Sequence, residues 1–144
     1  MDNFENAFLA GIEAARQVQY RRDEVQNILR KFSDSLEMAT HGLLCVEVKK
    51  GGTGLSEFLG GFTTSAVVNP YGLYVSTKKE PKRSSQIAGW KQAADGYPCW
   101  ITTSGQEIAC LNSEGLGDEL ARLAASPRMG AAVLELMGPH LPDA

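Results

Sequence analysis

One four-three spacing runs unbroken through the first forty positions: Phe4, Phe8, Gly11, Ala15, Val18, Arg22, Val25, Leu29, Phe32 and Leu36. It is the pattern of a seam along a single long helix. No proline interrupts it, and Gly11 is the only glycine before Gly42. A helix from about Asn3 to Thr40 is roughly 55 Å long at 1.5 Å per residue, longer than a compact domain of 144 residues is wide. Either the helix bends, or something outside the domain covers part of its seam, most economically a second copy of the chain. The expected dimerisation surface is Val18, Arg22, Val25, Leu29, Phe32 and Leu36. Within such a seam Arg22 costs stability unless its head reaches water or an acidic group. It either sets the register between two helices or, with Tyr20 and Arg21, marks a solvent-exposed bend.

The helix has marked ends. Asp2 and Glu5 form a capping-box start, and Gly42 is suited to the left-handed conformation that closes a helix. Leu9, Ile12 and Ile28 widen the stripe, as expected of a helix that packs on a sheet as well as on a partner. From Gly42 the period changes to two. Leu44, Val46 and Val48 alternate with Cys45, Glu47 and Lys49, a half-buried strand leading to the Gly51-Gly52-Thr53-Gly54 turn. Phe62 to Val68 and Leu73 to Thr77 are predicted strands, joined as a hairpin through Asn69-Pro70-Tyr71-Gly72. A charged loop, residues 78–83, leads to a strand over Gln86 to Gln92.

Tyr97 to Thr103 and Gln106 to Leu111 flank Ser104-Gly105, a two-residue hairpin turn. With that turn at its centre, Cys99 faces Cys110 and Ile101 faces Ile108 on one side, and Trp100 faces Ala109 on the other. Asn112 caps a short helix carrying Leu116, Leu120 and Leu123. Ser126-Pro127 opens a second one with Met129, Val133, Leu136 and Met137, which Gly138-Pro139 ends. The predicted fold is a single α+β domain: a long helix over 1–41, an antiparallel meander of about five or six strands over 42–111, two helices over 112–138, and a tail over 139–144.

A net charge of −3 argues against a nucleic-acid binder, yet the charges are uneven. Residues 1–48 hold five basic and eight acidic side chains, residues 49–91 seven and two, and residues 92–144 two and seven. Asp2 and Glu5 stand where a secretory signal would be basic, so the expected location is the cytoplasm, with no membrane segment. Three cysteines in such a chain are expected to be reduced thiols rather than a disulfide framework.

Little catalytic chemistry is written in the sequence. The glycines at 51–54 lack the Lys-Ser/Thr that completes a P-loop. His41 with Cys45, and Cys99 with Cys110, suggest either a Cys-His nucleophile or a zinc site on paper, but no C-x-x-C or H-x3-H spacing supports one. No metal and no cofactor are expected. His140 reads as a solvated tail residue. The basic loop carries more weight: Lys78, Lys79, Lys82 and Arg83, with Lys49, Lys50, Lys91, Tyr71, Tyr74 and Trp90 nearby, suit an acidic protein patch, with Trp90 as the apolar anchor. The bland role of such a loop is to protect a sheet edge.

The reading that follows is a small non-enzymatic protein–protein interaction module, of the size and charge pattern of inhibitors, immunity proteins and phage anti-defence factors. Two other classes are kept beside it. One is a thiol-dependent enzyme using Cys45 or Cys99, and the other is a nucleic-acid accessory protein using the 78–83 loop.

Overall fold

The structure, a computed structural model, describes residues 2–50 and 71–138. The long helix α1 (Asp2–Ala39) is continuous over 38 residues, without a break at Tyr20 to Arg22. The Asp2 side chain that would cap it lies outside the described residues. At its other end His41 as well as Gly42 takes a left-handed φ, at 55° and 81°, and the Gly42 N–H reaches back to the Glu37 carbonyl at 2.7 Å. Thr40, buried here, donates its hydroxyl to the Leu36 carbonyl (2.8 Å) and accepts the Leu44 N–H (3.1 Å). One side chain thereby joins the end of the helix to the start of the sheet.

Five strands follow, β1 (Leu44–Lys50), β2 (Tyr71–Thr77), β3 (Ser84–Gln92), β4 (Cys99–Thr103) and β5 (Gln106–Cys110), in the sheet order β1-β2-β3-β4-β5. Every neighbouring pair is antiparallel. Tyr71 and Gly72, expected in a turn, belong to β2 instead. With β1 on one side and β3 on the other, β2 has both hydrogen-bonding edges filled. The expected strand over Phe62 to Val68 and the Gly51 to Gly54 turn lie outside the described residues. The β4–β5 register is as the two-residue turn implies: Cys99 opposes Cys110, Trp100 opposes Ala109 and Ile101 opposes Ile108. β4 begins at Cys99 rather than Tyr97, because Pro98 has no N–H to offer a ladder.

Two helices complete the chain, α2 (Ser113–Ala124) and α3 (Pro127–Met137). The Asn112 side chain accepts the Gly115 N–H at 2.9 Å, and Ser126 accepts that of Met129 at 3.2 Å, so both expected caps are in place. α3 packs across β1, β2 and β3, α2 packs on β5, and the second half of α1 lies against β1 and α2. The three described helices cover one face of the sheet. Between the layers lie Val25, Leu29, Leu73, Val75, Ile87, Trp90, Ile101, Leu116 and Leu136, all buried. Ile87 is the extra residue where the β2–β3 register shifts, and it points into the same core.

Candidate interaction surfaces

The apolar stripe of α1 has two fates. From Val25 onward it faces its own sheet: Val25 and Leu29 are buried in the core, and Phe32 and Leu36 pack against it. Four of the six residues expected at a dimer surface are thereby turned inward. The helix also covers the free edge of β1, where Ser33 Oγ accepts the Val46 N–H at 2.9 Å. Among the described residues the N-terminal half of the same stripe covers nothing, and residues 3–17 are all exposed. Phe4 and Phe8 are each 72 % exposed, and Leu9 and Ile12 are more than half exposed. Isolated exposed apolar residues are ordinary, but four on three turns of one helix form a patch.

Where the helix leaves the domain, it is clamped. Arg21 Nε donates to the Asp95 carbonyl (3.0 Å) and Arg22 Nε to the Ala94 carbonyl (2.8 Å). Tyr97 donates its hydroxyl to Glu24 at 2.7 Å. Burial and the neighbouring Glu24 carboxylate both push the Tyr97 phenol well above its usual range. The arginine on the seam thus has a task within its own chain, holding the turn between β3 and β4.

The basic loop is less free than its composition suggests. Lys78 forms an ion pair with Glu37 of α1, and that pairing raises the Lys78 pKa. Arg83 donates to the Leu136 carbonyl at the end of α3 at 3.0 Å. Lys79 and Lys82 are exposed. Beside the loop runs an open groove of about 500 Å³ lined by Leu43, Leu44, Leu136 and Met137 and by the charged Lys79, Glu80 and Arg83. Trp90, the expected anchor, is only 4 % exposed. It opposes Ile101 inside the core, because its position on the pleat points it at the helices, so it cannot meet a partner.

The opposite face of the sheet, away from the helices, gathers Lys49, Lys91 and Tyr74 of the expected basic-aromatic set and adds Trp100, which that set did not include. Lys49 Nζ lies 5.6 Å from the centre of the Tyr74 ring, and Lys91 Nζ 4.5 Å from that of Trp100. Strict alternation from Leu44 and from Ile101 was the available signal, since it places Lys49 and Trp100 on the outer side. Glu47 and Glu107 pair with these lysines at 3.2 and 3.9 Å, so this face is close to charge-balanced. Burial works against ionisation of Glu47, but hydrogen bonds from Lys49 and Ser76 outweigh it and hold the carboxyl below its usual range.

The thiols are divided between the two faces. Cys45 lies on the outer face beside Glu47, and Cys99 and Cys110 lie opposite one another on the inner face; all three are free. Burial raises each, with Glu47 adding to the effect at Cys45, and it pushes Cys99 up to about 12 and Cys110 to about 11. A nucleophilic thiol needs the reverse environment. Among the described residues no hydrogen bond joins His41 to Cys45, and no group of three or more His, Cys, Asp or Glu is placed to hold a metal ion. His140 lies outside the described residues. Among the described helices none is long and apolar enough to cross a membrane.

Compared with known proteins, the chain matches no family model, no curated protein and no solved structure. The surfaces themselves therefore carry the functional argument.

Proposed function

We propose that this chain is a small non-enzymatic protein–protein interaction module that self-associates through the N-terminal half of α1. The observation that carries the reading is the projecting stripe of Phe4, Phe8 and Ile12, exposed on a helix whose base is fixed to the domain. Bare apolar side chains of this size gain most from a partner that removes them from water, about 25 cal/mol for each Å² buried. A cytoplasmic location fits the three free thiols.

The test is mass by light scattering across the micromolar range, for the natural chain and for Phe8→Asp. The natural chain is expected to be a dimer and the variant a monomer, with the melting temperature that the natural chain has when diluted to a monomer. A natural chain that stays monomeric at high concentration overturns the reading. A second surface is supported by the groove at Leu43, Leu136 and Met137, where Lys79 and Arg83 outnumber Glu80, an excess of positive charge that suits an acidic protein partner.

A further inference from the structure

We propose that two copies of this chain pair their projecting helices antiparallel, with the tip of each helix seated against the β3–β4 turn of the other copy. The inference rests on the self-association just proposed and specifies its geometry. Three independent observations point to it.

The first is steric. The stripe that is bare at Phe4, Phe8 and Ala15 continues on the same side of the helix into Val25 and Leu29, which are buried in the chain's own domain. A straight parallel partner on that stripe would run into the domain within two turns. An antiparallel partner meets the domain only with its tip, at the turn bearing Ala94 to Tyr97.

The second is register. In an antiparallel pair the two seam positions of one helix alternate in layers with those of the other. Full use of the projecting part then sets Phe8 against the partner's Val18, Gly11 against the partner's Ala15 and Phe4 against the partner's Arg22. These layers end where Arg21 and Arg22 meet the turn, so the heptad pattern and the length of the projection give the same overlap. The small residues Gly11 and Ala15 fall at the centre, where close approach of two helices is needed, and nothing within 4 Å fills the space at Gly11.

The third is charge. The first half of the projection carries Glu5 and Glu13 and no basic residue, and the second half carries Arg16, Arg21 and Arg22 and no acidic one. A parallel pair sets Arg22 against the partner's Arg22. An antiparallel pair brings it instead to Phe4 and Glu5, and also opposes the two helix dipoles. Arg22 uses Nε for its own turn, leaving the terminal nitrogens to face the partner's ring and carboxylate.

The size is adequate for a reversible dimer. Two phenylalanines from each copy, at roughly 150–200 Å² apiece, with Ile12, Ala15 and Val18, reach the lower end of specific interfaces, about 1,200 Å² in total. Both ends close, so the pair forms a two-fold dimer and not a filament.

The experiment mixes two chains, Phe8→Cys and Val18→Cys, each with Cys45→Ser so that the introduced thiol stands beside only the buried Cys99 and Cys110, under mild oxidation, with each chain alone as control. The antiparallel pair gives a cross-linked heterodimer of one chain of each type. Neither chain cross-links to itself, because the two copies of position 8 stand about 15 Å apart along the axis, beyond the reach of a disulfide. Self-cross-linking of Phe8→Cys alone overturns the antiparallel geometry and leaves the dimer standing. A second readout leaves the stripe intact: a spin label on Asn6→Cys, on the opposite side of the helix, is expected to report about 30 Å in the dimer, from about 21 Å along the axis and about 20 Å across the two helices. A separation of about 20 Å means a parallel pair and overturns the proposal. A dimer that gives neither cross-link uses another surface and overturns it too, whereas a monomer in light scattering sinks the self-association on which it rests.

Discussion

A methyl group built on Gly96 would stand 2.7 Å from Cβ of Arg21, and Gly96 has a φ of +102°. Helix and turn therefore touch backbone to backbone at the point where α1 leaves the domain. Gly96→Ala is expected to cost at least about 2 kcal/mol, from the strained backbone and the overlap together. Urea unfolding measures it; a loss below half that value would mean that the helix can lift from the turn.

The two tryptophans should behave as opposites. Trp90 is in the core and Trp100 is half-buried on the outer face under Lys91. Trp90→Ala should cost about 3–5 kcal/mol, and Trp100→Ala markedly less. Acrylamide quenching of single-tryptophan variants checks the placement directly: emission from Trp100 is quenched strongly, and that from Trp90 weakly.

Within the basic loop, charge reversal should separate three residues that look alike in sequence. Lys79→Glu and Lys82→Glu are expected to change stability by no more than about 0.5 kcal/mol. Arg83→Glu removes the bond to the Leu136 carbonyl and should cost roughly 1.5 kcal/mol or more. Thermal melts of the single variants decide. Equal, negligible effects at all three would show that Arg83 does not fasten the loop to α3.

Alkali should unfold the protein from the thiols outward. Burial raises Cys99 from 9.0 to about 12 and Cys110 to about 11. The unfolded thiols therefore ionise first, and the unfolded state releases protons that the folded state keeps. Stability is complete below pH 9 and falls as pH rises from there toward the folded pKa values. Melting temperature between pH 8 and 11 is the measurement. A Cys99→Ala, Cys110→Ala variant should show a shallower decline over the first part of that range.

Removing the residues before Val18 should leave the domain within about 0.5 kcal/mol of the natural chain compared as monomers, because residues 3–17 are exposed throughout. The same deletion should abolish self-association. Denaturant unfolding and light scattering on the one shortened chain test both halves of the statement.

Much of the architecture was legible because it rests on local rules. Asn112 and Ser126-Pro127 announce their helices through cap chemistry, and Ser104-Gly105 fixes the Cys99–Cys110 register through the length of the turn. The surfaces were harder to place. A four-three stripe does not say which of its turns the chain itself will cover, so Val25 and Leu29 read as interface while Phe4 and Phe8 read as a mere continuation. That division depends on where the distant Gly96 turn stops the domain. Trp90 was misplaced for a related reason. An aromatic beside lysines looks like an anchor until the strand pairing shows which face of the sheet it is on.

The projection of α1 also has a mechanical meaning. Being one continuous helix held by Arg21, Arg22 and Glu24 at its base and by Ser33 and Thr40 further along, it is a lever with its fulcrum at the β3–β4 turn. A sideways pull at Phe4 acts through an arm of about 27 Å. It is delivered as torque on that turn and on the β1 edge, so whatever grips the tip also leans on the sheet.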